Sequence, residues 1–418
     1  MKEAAKEKAK HADVDFSLER VPLTARKSFI AMFVIMLGFT FFSASMSVGA
    51  KMANGLDLTQ FIWAVLIGGA ILGAYTGVLA YISNQTAMSL DLLTHRSFGT
   101  LGSFLPSALI TFTQIGWFGV GVAMFAYPAA ELLKVPVWVL VVIAGAAMTS
   151  SAYFGITGLE IVSYVSVPLI TVLGSYSMIT AIRDGGGIVT IFDKSTGGMT
   201  LFTAVGMVIG SFVSGGTATP NFTRFAKTKT SAVVTTVIAF FLGNTLMFMF
   251  GAVGGAYTGQ EDIFYVMIAQ GLAIPALIVL GGNIWTTNDN ALYTAGLGLS
   301  NITKVRKRPM VLVSGVIGTA TAVWLYNNFV GWLSFLNATL PPIGAIITID
   351  YFLNRGKYTE ENDDKLRKVN WFALAGVVAG ALVGNFVKWG ISAINAMVVA
   401  CIVYYLGTKF FYKEEKHV

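Results

Sequence analysis

Apolar positions run along this chain in blocks of about 20 residues, the length an α-helix needs to cross the hydrocarbon layer of a bilayer. Short polar stretches separate them. The blocks predict spans near 28–50, 60–83, 103–128, 136–154, 160–182 and 200–220, then near 231–254, 264–297, 310–324, 327–352, 371–387 and 391–408. The block 264–297 is long enough to include a segment outside the bilayer before the membrane helix proper. Pro and Gly interrupt several blocks, and broken helices are tolerated at membrane depth only where they line a cavity or are buried in protein. The run Gly185-Gly186-Gly187 reads as a loop turn.

Composition changes the picture only in emphasis. Hydrophobic residues make up 55% of the 418 positions and charged residues 12%, where soluble domains carry about a quarter charged. The expected class is an all-α polytopic membrane protein with loops too short to fold alone. The first 27 residues are largely polar and charged, so no cleavable leader is predicted. Cys401 is the single cysteine, which excludes a disulfide framework or a thiolate metal site, and it is expected to be a small buried hydrophobe.

The formal charge of +7 would fit a nucleic-acid binder if the cations clustered on a folded face. They do not. Of the 28 Lys and Arg, only Lys51, Lys134, Arg183, Lys194 and Lys388 fall on the odd-numbered-loop side. The tails and even-numbered loops hold the rest, including Arg224, Lys227, Lys304, Arg306, Lys307 and Arg308. By the positive-inside bias, both termini are expected in the cytoplasm.

Two interruptions stand in corresponding places. The first span contains Gly38-Phe39-Thr40-Phe41-Phe42-Ser43-Ala44-Ser45 and the sixth contains Gly210-Ser211-Phe212-Val213-Ser214-Gly215-Gly216-Thr217. Matched interruptions point to a midplane binding site between inverted repeats; small residues can also serve only close helix packing. In the eighth span, Asn283-Ile284-Trp285-Thr286-Thr287-Asn288-Asp289-Asn290 is strongly polar for a membrane helix. Asn283, Thr286, Thr287 and Asn290 share one face by helical spacing. That face is too costly to show to lipid and should meet a cavity or another helix. Threonine hydroxyls with freed carbonyls are hard, neutral oxygens suited to a small monovalent cation. Interhelical hydrogen bonding is the plainer reading. Asp289 lies off the centre of the stripe and is a candidate proton carrier or a paired acid.

In the third span, Gln114 and Trp117 are three residues apart and share a face. An indole to stack on and an amide to read an edge are what a flat heterocycle requires, and Phe212 could supply a second ring. A Trp in a membrane helix also serves packing or interface anchoring. Neither a phosphate loop followed by Lys nor a nucleophile with a base at motif spacing occurs, which disfavours an ATP-driven pump or an enzyme.

At these residues the chain resembles the bacterial cytosine permeases of the nucleobase-cation symporter family, from about Val21 to Tyr412. The resemblance is carried by Met36–Met46 (MLGFTFFSASM), Gln114–Ala126 (QIGWFGVGVAMFA), Asn283–Tyr293 (NIWTTNDNALY) and Trp324–Trp332 (WLYNNFVGW). It implies a leucine-transporter-like fold: repeats at 28–182 and 200–352, two further helices at 371–408, and tails at 1–27 and 409–418. It implies alternating access in the inner membrane around helices 1, 3, 6, 8 and 10, with cytosine as cargo, sodium as coupling ion, and neither an organic cofactor nor an obligatory protein partner. The sodium site carries over onto the carbonyls of Gly38, Phe41 and Asn283 and the hydroxyls of Thr286 and Thr287. The substrate site carries over onto Trp117 and Phe212 as stacking rings, with Gln114, Ser214 and helix-8 asparagines at the edges. A hydantoin-transporting relative has Trp where this chain has Phe212, and Asn where it has Leu292. The stripe favours Asn283 and Asn290 for base reading and adjacency to the threonines favours Asn288; Asn283 and Asn288 are taken as candidates. Purines, uracil, hydantoin or thiamine as cargo, and protons as coupling ion, remain the alternatives.

Overall fold

The computed structural model describes residues 15–260, 262–328, 338–363, 365–387 and 389–412. Trp332, Lys388, most of the predicted tails and residues 329–337 of the predicted tenth span lie outside the described residues. Within them the chain is helical, with one isolated bridge between Lys27 and Ala226.

Six helices are long and apolar enough to cross a membrane: Leu58–Thr86, Phe104–Leu133, Ile156–Asp184, Lys229–Thr258, Lys307–Asn327 and Ser392–Phe411. A bent pair, Phe29–Thr40 and Ser43–Gly55, makes another span. Val137–Tyr153, Leu201–Thr217, Pro341–Leu353 and Trp371–Phe386 are shorter and apolar. Ala273–Thr303 completes the order, its apolar character diluted by the polar stripe. These helices match the predicted spans in order, most ends shifting by a few residues; the eighth starts at Ala273, and the described part of the tenth is Pro341–Leu353, the predicted start at Asn327 falling instead in the ninth helix. The separate helix Ile263–Ala269 precedes the eighth span, as the length of that block required. Gly186 and Gly187 make their turn at φ +81° and +109°, a region open to glycine.

Local chemistry explains the ends. Ser28, Asp57, Thr228 and Asn370 each cap a span by accepting a hydrogen bond from a backbone N–H in the first turn. The first span breaks because Phe41 and Phe42 adopt extended backbone, and its halves diverge by 55°. Opposite this break the seventh span carries a π turn, Ala239–Gly243. A β-carbon at Gly243 would lie 2.7 Å from Thr40 Oγ1, so only glycine lets the two irregular segments touch. Further along, Gly251 faces the Met46 carbonyl and Gly49 the Phe248 backbone, the close approach small residues permit between membrane helices. The sixth span stays helical through Thr217, and its interruption falls at Ala218–Thr219, after which Pro220 starts a separate turn.

The basic-loop end of the bundle is closed by the chain's own N-terminal segment. Arg224 donates to the carbonyls of Asp15 and Phe16, at 2.7 and 2.8 Å, and Lys307 pairs with the Asp15 carboxylate at 2.7 Å. Asp15 also accepts from the Ile156 N–H, so one acid ties together the entries of the fifth and ninth spans. Beside it lies the short helix Leu90–Phe98, in which His95 bonds Asn301 at 2.6 Å.

Candidate functional site

The unwound first span meets the eighth at two threonines. Thr287 Oγ1 lies 3.2 Å from the Phe41 carbonyl and 3.3 Å from that of Asn283. Thr286 Oγ1 lies 3.0 Å from the Asn283 carbonyl and 3.1 Å from that of Gly282. Gly38 completes the group, since a β-carbon there would lie 3.4 Å from Thr286 Cβ. The break at Phe41 leaves first-span carbonyls without intrahelical partners, and Gly38, Phe41, Asn283, Thr286 and Thr287 bring backbone carbonyls and two hydroxyls to one seam without a formal charge. That donor set fits a hard monovalent cation.

Beside the seam is a cavity with about 300 Å³ of atom-free space, lined by Phe39, Phe42, Gln114, Trp117, Ser211, Phe212, Ser214, Gly215, Thr287 and Ala291. Spans one, three, six and eight each supply part of the wall. Trp117 meets Phe42 edge to face, with centroids 5.4 Å apart at 79°. Phe212 is held in the same manner by Phe39 at 5.2 Å and by Phe240 at 5.5 Å. Such contacts fix ring orientation. Gln114 is buried, and its Nε2 has no hydrogen-bond partner among the described residues. An unmet buried amide is expensive, and one lining a cavity is positioned to donate to whatever enters.

Four of the expected substrate residues, Gln114, Trp117, Phe212 and Ser214, therefore meet at the cavity. The two asparagines do not line it. The Asn283 side chain accepts from Ser43 Oγ at 2.8 Å and donates to Met247 Sδ at 3.6 Å. Asn288 points between the third and fourth spans, donating to the Phe118 carbonyl and Met148 Sδ, each at 3.2 Å. Asn290 folds back onto the Thr286 carbonyl at 2.7 Å. Asp289 also turns to the fourth span, accepting from Ser151 at 2.6 Å while Trp285 Nε1 donates to the same serine at 2.8 Å.

The residues not anticipated as lining are mainly Phe39 and Phe42. Both stand in the interrupted segment of the first span, but their side chains had no assigned role. A break that frees carbonyls on one side also re-aims the flanking side chains, and that geometric consequence was the available signal.

A broken first helix, a cation-compatible seam and an aromatic cavity walled by four spans define a membrane transporter. The comparisons agree. Residues 20–407 match the family described as "Permease for cytosine/purines, uracil, thiamine, allantoin", and this chain belongs to that family. It is 46% identical over 393 residues to the cytosine permease of Escherichia coli (strain K12), covering 94% of each chain. The fold is similar to that of Mhp1, a nucleobase-cation-symport-1 family transporter solved closed with bromovinylhydantoin bound. There the TM-score is 0.77 at 20% identity, covering 93% of this chain and 95% of that one. It is also similar to a Na+-coupled sialic acid symporter in a substrate-bound outward-open state, with TM-score 0.72 at 15% identity, covering 92% and 90%. The chain is thus a multi-pass membrane permease and not an enzyme. Its architecture is the five-plus-five inverted repeat with two C-terminal helices, here the pair Trp371–Phe386 and Ser392–Phe411.

Proposed function

We propose that this permease carries cytosine across the bacterial inner membrane by sodium symport, with both termini in the cytoplasm and repeats at 28–182 and 200–352. The observation that carries the reading is the cavity between Trp117 and Phe212 with the unmet Gln114 amide in its wall. An aromatic cleft with a single amide suits a small planar base, because the rings take its faces and the amide takes its edge. The 46% identity to a cytosine permease supports cytosine among flat heterocycles. The Gln114 Nε2–H would donate to the cytosine carbonyl or ring nitrogen.

Thr287 is shared by the two sites. Its side chain lines the cavity and its hydroxyl donates to the Phe41 carbonyl at the seam. Turning that hydroxyl's lone pairs toward a sodium ion would draw the unwound segment of the first span against the eighth. The same movement settles Phe39 and Phe42 against the cavity, so cation and base each favour the geometry the other needs. Reciprocal stabilisation of this kind is the thermodynamic content of coupling. Release to the cytoplasm requires the Arg224 and Lys307 contacts to the N-terminal segment to part, while Pro341-Pro342 at the start of the tenth helix is the candidate hinge on the other side.

Uptake of radiolabelled cytosine into proteoliposomes, with and without an inward sodium gradient, tests the whole reading. Accumulation driven by sodium is expected. Uptake that ignores sodium but follows a proton gradient would overturn the coupling ion, and competition by uracil, purines, hydantoin or thiamine at lower concentration than cytosine would overturn the cargo.

A further inference from the structure

The geometry points to Ser163, on the fifth span, as an additional oxygen ligand for the cation held between the first and eighth spans. This rests on the sodium reading above and extends it to a third span. Many buried hydroxyls in this bundle bond a carbonyl one turn back, as Thr40, Thr76 and Thr149 do. Ser163 is fully buried, yet its hydroxyl has no hydrogen-bond partner among the described residues. Self-satisfaction costs a serine only a χ1 rotation, and a buried hydroxyl left unpaired beside a seam of oxygen donors is available to a ligand held there.

Its position says which ligand. A β-carbon at Gly38 would collide with Ser163 Oγ and lie 3.4 Å from Thr286 Cβ, so Gly38, Thr286 and Ser163 converge on one point. Glycine at 38 is what admits the serine. One turn along the same face, Ser166 Oγ lies 3.3 Å from the β position of Gly282, whose carbonyl accepts from Thr286. The fifth span thus turns hydroxyls, and no charge, toward the 1–8 seam. Three carbonyls (Gly38, Phe41, Asn283) and three hydroxyls (Thr286, Thr287, Ser163) make six neutral oxygens. A hard monovalent cation is served by that set, whereas a divalent ion would call for carboxylates. A ligand on the fifth span also ties cation occupancy to a helix whose first residue, Ile156, is bonded to the N-terminal closure at Asp15.

The test measures cation binding directly, with thermal unfolding and intrinsic tryptophan fluorescence of the purified protein titrated with NaCl at constant ionic strength, without cytosine. Wild type is expected to saturate. Ser163→Ala, which removes one oxygen and little volume, is expected to raise the half-saturating sodium concentration about tenfold, the effect of about 1.4 kcal/mol. Ser163→Thr, which keeps the hydroxyl, is expected to stay within about threefold of wild type. Cytosine binding to Ser163→Ala at saturating sodium should be retained. Half-saturation unchanged in Ser163→Ala, alongside a loss of the sodium response in Thr287→Ala, would overturn the role of Ser163 and leave the coupling reading standing. A wild type with no sodium response by either readout would overturn both.

Discussion

Replacing Gln114 by Leu separates function from stability in opposite directions. The amide nitrogen of Gln114 is buried without a partner, and such a group costs about 1 to 3 kcal/mol in the unliganded protein. Leucine has similar reach and no polar atom, so Gln114→Leu is expected to stabilise the unliganded permease by up to that amount. In the liganded protein the same amide would be paired with the base, and its loss would leave a cytosine edge unmet. Binding should therefore weaken by about 1 to 3 kcal/mol, or roughly 5- to 150-fold in Kd. Thermal unfolding in detergent, with and without saturating cytosine, reads both effects on one sample. The expected pattern is a higher Tm without ligand and a smaller ligand-induced rise. A Tm that falls in the variant while cytosine affinity is unchanged would refute the reasoning, because it would mean that the amide serves packing and not the cargo.

Other consequences are checked as simply. Trp117→Ala should cost about 1 to 3 kcal/mol of cytosine binding by loss of stacking, measured by calorimetry, with Trp117→Phe recovering most of it. Gly251→Ala drives a methyl group into the Met46 carbonyl and should lower stability by about 1 to 3 kcal/mol, whereas Gly206→Ala, whose nearest neighbour is Ile391 Cγ2 at 4.0 Å, should be near neutral in the same melts. Burial, assisted by nearby Lys304 and Arg96, pushes the His95 imidazole down to about 4 from its ordinary 6.5. A depressed value means that the neutral, Asn301-bonded form contributes stability fully above pH 6.5 and loses it as pH falls through 4. His95→Gln should flatten that part of the decline in Tm between pH 6.5 and 4; an unchanged acid limb would argue against a buried neutral imidazole.

The helices and their order were legible because lipid leaves the chain few choices. Every backbone group must be satisfied within a helix, so the lengths of the apolar blocks carried the architecture. The break at Phe41 and Phe42 was legible from a run of small and aromatic residues inside an apolar block. The sixth span's break was displaced, because Ser214 to Thr217 are compatible with helix when packed and only Pro220 forces a new turn. The polar stripe of the eighth span predicted that Asn283, Thr286, Thr287 and Asn290 would be buried, and they are. Helical spacing could not say what each amide would bond, since that depends on which neighbour stands opposite.

Sequence by itself determined a polytopic helical bundle, the polar face shared by Thr286 and Thr287, and the sharing of one helix face by Gln114 and Trp117. These follow from chain-local rules, namely the length of apolar runs and the 3.6-residue period. Tertiary structure decided that Phe39 and Phe42 wall the cavity, that Asn283 and Asn288 are engaged by Ser43 and by Phe118 and Met148, and that Ser163 reaches Gly38. The physical reason is the same in each case: partners far apart in the chain meet only through the crossing of packed helices, where one glycine more or less sets which side chain arrives.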